Sequence, residues 1–316
     1  MKTYYFPEEK VNYKWDNRLK PVIKIFPGDT VVYTLREVSD GQISPQSTAD
    51  DLATLDWNRI YPLSGPIYVE GAEKGDVLEA EILDIHSLGW GWTAIIPEFG
   101  LLTEEFKEPQ LKIWDLSPGD YTCFREDIKI PLDPFCGTMG VAPLRDGEQP
   151  VMPPGEHGGN MDIKHLTKGC KLFLPVWIKG ALFSLGDPHA AQGDGEVCVT
   201  GIESPMYVSI RFGLRKKVGL QAPQFKIPKP ITEKYDEKGY YVTTGISSNL
   251  MEASKSALRN MIDYLSKTYG LSREEAYMLS SIVVDLKISE IVDKPNWVIS
   301  AYLPLNIFEV TNYKKS

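Results

Sequence analysis

Alternation of apolar and polar residues governs most of this chain, and a period near 3.6 takes over only towards its end. PVIKIFPGDTVVYTLRE, Pro21 to Glu37, alternates around Pro27-Gly28-Asp29 and predicts a hairpin-like strand pair. IYVEGAEKGDVLEAEILDI, Ile67 to Ile85, predicts two more strands around Glu73-Lys74-Gly75-Asp76, with Leu78, Ala80, Ile82 and Ile85 on one buried face. The pattern slips at Leu83 to Asp84, as a bulge would make it. Further strands are expected after Phe124 and in YVSIRFGLRKK, which starts at Tyr207. The helical period begins near Leu250. Leu250, Ala253, Ala257, Leu258, Met261, Ile262 and Leu265 form one stripe, Asn249 or Ser248 caps it and Gly270 ends it. Ser272-Arg273-Glu274-Glu275 is a capping box for a second helix carrying Ala276, Leu279 and Ile282 to Val284. The fold class predicted is α+β, predominantly β, with a C-terminal helical hairpin covering the sheet. A β-rich core over residues 1–220 and an α+β portion over 221–316 are expected, the two forming one continuous domain if the portions share a core.

Composition narrows the function classes. The 316 residues suffice for a large core. A formal net charge of -9 argues against a nucleic-acid binder, which needs clustered Lys and Arg. Four cysteines, Cys123, Cys136, Cys170 and Cys198, stand far apart with no paired spacing and read as free thiols of a reducing compartment. No signal-peptide core and no long apolar run occurs, so a cytoplasmic protein with no membrane partner is expected.

Polar chemistry concentrates between Gly158 and Glu203, where Asn160, Asp162, Asp187, His189, Gln192, Asp194, Glu196 and Glu203 lie in a glycine-rich, strand-forming context. In an extended backbone residues two apart point the same way, so Asp187 and His189 can offer an oxygen and an imidazole nitrogen to one divalent cation. The alternative is a turn whose acids only solvate it. The loop from Ser39 to Asp56, with Asp40, Gln42, Asp50, Asp51 and Asp56, is a second polar candidate on the scaffold, or an ordinary solvated loop. Trp90 and Trp92 either line a small-ligand pocket or pack in the core. Cys136 is read as a buried inert thiol, since no activating partner is visible. Asp285, inside the apolar run SSIVVDLKISEIV, is either a hydrogen-bonded structural acid or part of a site.

GGNMDIK (Gly158 to Lys164), FLPVWIKGALFSLGDPHAAQGDGE (Phe173 to Glu196) and GIE (Gly201 to Glu203) closely resemble the acetamidase/formamidase family of amidohydrolases. So do KWDNRLKPVIKIFPGD, GQISPQSTADDL, LSGPIYVEGAEKGDVLEAEILDI and GTMGVAP, and the resemblance spans about Lys14 to Phe308. It implies hydrolysis of short aliphatic amides, formamide or acetamide, to ammonia and the carboxylate. A β-sandwich-rich core, a bound zinc or calcium ion, and a homodimer or higher homo-oligomer are implied with it. The chain departs from many relatives at Asn12-Tyr13-Lys14, where they carry a histidine, and at Glu98, where they carry glycine.

Amide hydrolysis needs an activated water, a stabilised oxyanion and a proton for the amine. On the resemblance, Asp187 and His189 are expected to hold the metal with Asp50 as third ligand and Asp162 next. Glu196 is expected as general acid/base, with Glu203 and then Glu98 as substitutes. Asn160 and Gln192 are expected to orient the amide and Trp92 to enclose it. Two other readings of the same residues are a non-catalytic small-ligand or metal-binding protein on this fold, and a hydrolase of another small amide or cyclic C–N bond.

Overall fold

A computed structural model describes residues 1–308 apart from 229, 232, 233 and 293. Strand outweighs helix, 38% to 14%, so the fold is α+β with β predominant. Two large sheets face each other. One orders the strands Thr3–Tyr5, Thr30–Leu35, Met206–Arg215, Val77–Ser87, Lys171–Pro175 and Gln224–Lys226. The other orders Gly158–Asn160, Phe135–Gly140, Phe183–His189, Leu63–Val69 and Val11–Asn12, with Ile23–Ile25 parallel to Leu63–Val69. Period-2 alternation sends Tyr33, Ile82, Ile210 and Phe212 from the first sheet and Ile67, Val69, Phe183 and Leu185 from the second into a shared core. Phe183 meets Phe212 edge-on at 5.1 Å across the gap. Each such side chain contributes roughly 1.5–3 kcal/mol by leaving water.

Both predicted turns differ from expectation in one respect. Ile23–Ile25 and Thr30–Leu35 belong to different sheets, as do Leu63–Val69 and Val77–Ser87. The turns Pro27–Asp29 and Glu73–Asp76 therefore carry the chain from sheet to sheet and do not close hairpins. Alternation reports which face of a strand is buried and is silent about which ladder it joins. An aspartate fastens each corner. Asp29 accepts from the amides of Lys2 and Phe26 at 2.7 and 3.0 Å, and Asp76 from those of Glu73 and Lys217 at 2.9 Å. The expected bulge is present: Ser209 pairs with Asp84 and Ile210 with Ile82, which leaves Leu83 unpaired.

The C-terminal portion follows its capping signals. Helix α1, Leu250–Tyr269, starts where the Asn249 side chain accepts the Met251 and Glu252 amides and stops at Gly270 in the left-handed region, φ 67°. Helix α2, Arg273–Val283, opens with the reciprocal Ser272–Glu275 box. α1 packs on a three-stranded sheet, Tyr240–Ser247, Trp297–Pro304 and Asp285–Glu290. α2 reaches further. Residues Ala276 to Val283 are all buried, and Tyr277 donates to the Val197 carbonyl while its oxygen accepts the Leu102 amide at 3.1 Å. Ser281 donates to the Thr200 carbonyl at 2.7 Å and accepts the Cys198 amide at 3.1 Å. This helix thus braces the loop from Gly193 to Thr200. No described helix is long and apolar enough to cross a membrane.

Candidate active site

Asp187 and His189 end the Phe183–His189 strand, beside Phe135–Gly140. Asp187 Oδ1 lies 3.2 Å from His189 Nε2, so the two side chains do meet. They do so because Asp187 turns into the left-handed region, φ 53°, not because both sit on one extended face. Isolated bridges from Glu203 to His189 and to Trp92 bring Glu203 alongside. Its Oε2 is 3.0 Å from Nε2, yet poorly aligned for a hydrogen bond, and this oxygen has no hydrogen-bond partner. Its Oε1 accepts the Gly201 amide at 3.0 Å. On the other side of the ring Glu196 Oε1 is 3.8 Å from Nδ1. Two three-residue groups with metal-ligand spacing result, Asp187–His189–Glu203 and Asp162–His189–Glu196, sharing the imidazole.

A supporting layer fixes the imidazole. Gln192 donates its amide NH₂ to the Asp162 carbonyl at 2.9 Å, which turns its oxygen to His189 Nδ1 at 2.8 Å. That oxygen can only accept, so Nδ1 carries the proton and Nε2 faces Asp187 and Glu203. Phe135 holds the ring edge-on at 5.1 Å. Asn160 is likewise engaged: it accepts from Thr138 Oγ1 at 2.7 Å and donates to the Met152 carbonyl at 3.2 Å. Both amides expected to orient a substrate are thus committed to the protein. Gly137 permits the acids to converge, because a Cβ there would lie 2.3 Å from Asp162 Oδ1 and 2.9 Å from Asp187 Oδ2.

Four carboxylates and one imidazole occupy this basin. Among the described residues no lysine or arginine pairs with any of them. Burial, reinforced by Asp187, lifts the Asp162 carboxyl to about 7 against the pull of His189. Burial lifts Glu203 to about 7 as well, and burial together with Asp162 lifts Glu196 well above the usual carboxylate range. Burial opposes charge on His189, but Glu203 and Asp187 outweigh it and raise its value well above ordinary. Excess negative charge, two buried acid oxygens without partners (Asp162 Oδ1 and Glu203 Oε2) and an oxygen-rich donor set with one nitrogen together fit a divalent cation.

The basin floors an apolar cleft whose lining includes Trp57, Tyr61, Trp92, Phe99, Asp187, Glu196 and Glu203. Trp92 lines the cleft, its indole N–H donating to the buried Glu37 at 2.9 Å. Tyr61 also lines the cleft, and nothing in its sequence context singles it out. Burial and then the charges of Asp187, Glu196, Asp162 and Glu203 push its hydroxyl well up, so it remains a proton-bearing donor among acids. Asp50 and Glu98 are not brought into the basin. Asp50 is exposed on the short helix Ala49–Thr54, and Glu98 is exposed with φ 72°, a conformation that favours glycine. Cys136 points into the core and its thiol is pushed up by burial and Asp187, which leaves it inert. Asp285 lies elsewhere, paired with Lys164 and accepting the Asp194 amide at 3.0 Å.

Backbone strain gathers here. Of the ten described non-glycine residues with positive φ, five belong to the basin or its cleft: Tyr61, Asp162, Asp187, Glu196 and the β-branched Val199 at 81°. Such conformations cost about 1–3 kcal/mol each and persist where surroundings over-determine them.

The Acetamidase/Formamidase family matches residues 2–149 and 144–310. A formamidase of Methylophilus methylotrophus is 32% identical over 370 residues, covering 95% of this chain and 90% of its own length. An acetamidase of Mycolicibacterium smegmatis is 30% identical, covering 84% of each. Among solved structures, a gamma lactamase from Delftia acidovorans superposes with TM-score 0.90 at 28% identity, over 98% of this chain and 94% of that one. An acetamidase from Bacillus halodurans superposes with TM-score 0.68 at 33% identity, over 96% and 98%.

Proposed function

The chain belongs to the acetamidase/formamidase family, and from that premise we propose that it hydrolyses formamide, acetamide and similar small amides in the basin around His189. It is an amidohydrolase of linear amide C–N bonds, the reaction named in its relatives. The observation that carries the siting is the convergence of Asp187, His189 and Glu203 with no balancing lysine or arginine among the described residues.

Asp187, His189 through Nε2, and Glu203 would hold a divalent cation, zinc or calcium. Such an ion polarises a carbonyl oxygen and acidifies water. The chain's own groups do the rest. Gln192 accepts the Nδ1 proton and so aims Nε2 at Asp187 and Glu203, where a cation would take the place of the proton those acids favour on it. Tyr61 offers its hydroxyl as donor to the carbonyl oxygen as negative charge develops there. Glu196, with Asp162 close by, takes the proton from water as the new C–O bond forms. It returns that proton to the nitrogen as the C–N bond breaks, leaving ammonia and the carboxylic acid. The walls of Trp92 and Tyr61 exclude bulk water, which strengthens each of these interactions.

Ammonia release from formamide and acetamide tests the activity, and metal content of the wild type and of His189→Ala tests the ligand set. Loss of bound metal with loss of turnover is expected. Retention of both in His189→Ala overturns the siting, and no ammonia from any amide favours a non-catalytic binding protein. The TM-score of 0.90 with the gamma lactamase favours a second reading, opening of a cyclic amide, which a lactam in the same panel decides.

Self-association belongs to the same reading. Thr243 and Gly245 face α1, so alternation turns the exposed Val242 and Ile246 outward on an open sheet face. Light scattering on the purified protein is expected to show a homodimer or larger homo-oligomer.

A further inference from the structure

Trp57 and Phe99 come from separate segments and meet on the solvent-facing side of the cleft, where Trp57 is exposed and Phe99 half-buried. Trp57 begins the single-turn helix Trp57–Arg59, anchored by Asp56, which accepts the Asn58 amide at 3.0 Å. Phe99 closes a turn in which its amide donates to Ile96 at 3.1 Å. Their rings stack at 5.1 Å with planes 13° apart, and both line the cleft. The cleft they border holds about 40 Å³ of free space. That is room for roughly three waters.

Polarity divides this cleft lengthwise. Asp187, Glu196 and Glu203 stand at the inner end, and the remaining walls are chiefly apolar, Val38, Ile60 and Ile96 among them. An amide whose carbonyl reaches the acids must direct its acyl substituent along the apolar walls towards the aromatic pair. Apolar walls reward each methylene they bury, and a stacked pair of rings across the exit stops the gain abruptly. Trp57 is 48% exposed, so one face of the pair rests against solvent and its removal lengthens the cleft without hollowing the core.

We propose that the Trp57–Phe99 pair is the specificity-determining stop that limits the acyl length of the amide this enzyme accepts. The inference rests on the amidase reading of the basin. It makes the two side chains binding residues for the far end of the substrate, with no part in the chemistry.

The test is a series of straight-chain primary amides from formamide to hexanamide, assayed by ammonia release with the wild type, Trp57→Ala, Phe99→Ala and Trp57→Phe. In the wild type kcat/KM rises about fourfold per added methylene at first and then falls at least about tenfold once the chain meets the rings. Either alanine variant moves the maximum to a longer amide and raises the hexanamide-to-acetamide ratio at least about tenfold. Trp57→Phe keeps the wild-type order. A maximum that stays at the same chain length in both alanine variants overturns the proposal. If no amide is hydrolysed, the amidase reading fails by itself. Calorimetric binding of the same amides then decides the stop, which is overturned if both variants keep the wild-type length limit.

Discussion

Two clusters of buried charge lie on either side of one loop. Asp194 and Glu196 are two residues apart in Gly193-Asp194-Gly195-Glu196, yet they enter different clusters. Asp194 faces the joint between its loop and the strand Asp285–Glu290, where Lys164 pairs with Asp285 and Lys287 stands 3.9 Å from the same acid. Burial raises the Asp194 carboxyl, and Lys164 pulls it back. Glu196 faces the basin, where among the described residues His189 alone opposes four acids. The joint supplies its own neutralising cations and so behaves as structure. The basin leaves charge unbalanced, which is the condition under which a protein binds a metal or holds protons in place for chemistry. Acidity alone does not distinguish a site; the absence of a nearby lysine does.

The largest effect that would break this contrast is on turnover. Glu196→Gln is expected to keep bound metal and lose roughly two to four decades of kcat in an ammonia assay. A near-normal rate would move proton transfer to Glu203. Next comes stability. Lys164→Met strands Asp285 and Asp194 and should cost about 3 kcal/mol in denaturant unfolding, with metal stoichiometry unchanged. The double change Lys164→Met with Asp285→Met should recover most of it. Smaller is Gln192→Leu, which frees the imidazole to rotate and should weaken metal affinity about 10–100-fold by competitive chelator titration. Separate from these graded losses is a pH slope. In metal-stripped protein Asp162 and Glu203 titrate near 7, above the usual carboxylate range. The folded state then binds more protons than the unfolded state between those values, so thermal stability should rise as pH falls from about 8 towards 5. Calorimetry of the metal-loaded protein should show a flatter profile, because the cation replaces those protons.

Local chemistry was readable in the sequence and long-range placement was not. Asn249, Gly270 and the Ser272–Glu275 box mark the helices because capping is decided within four residues. The bulge at Leu83 showed as a slipped alternation. Asp187, His189, Glu196 and Glu203 were visible together because one short segment folds back on itself. Asp50 misled, since an acidic loop's distance from the basin depends on the path of the whole chain. Tyr61 and Val199 carry no sequence signal: both adopt positive φ angles, 62° and 81°, which residue type does not announce, and Tyr61 reaches the basin through a backbone bond to the distant Val38. The amides of Gln192 and Asn160 lie beside the basin, where they hydrogen-bond protein groups.

The strand order of the first sheet bears on how this molecule is made. Met206–Arg215 is the strand between Thr30–Leu35 and Val77–Ser87, pairing with both along most of its length. During synthesis those two flanking strands leave the ribosome long before the one that joins them, and each must wait with an unpaired, apolar edge. The central pairing of the sheet can form only once Arg215 has emerged, so until then the nascent chain presents two unpaired strand edges of the kind that invite association. Expression yield should therefore respond to holding chaperones and to translation speed more than the stability of the finished protein would suggest.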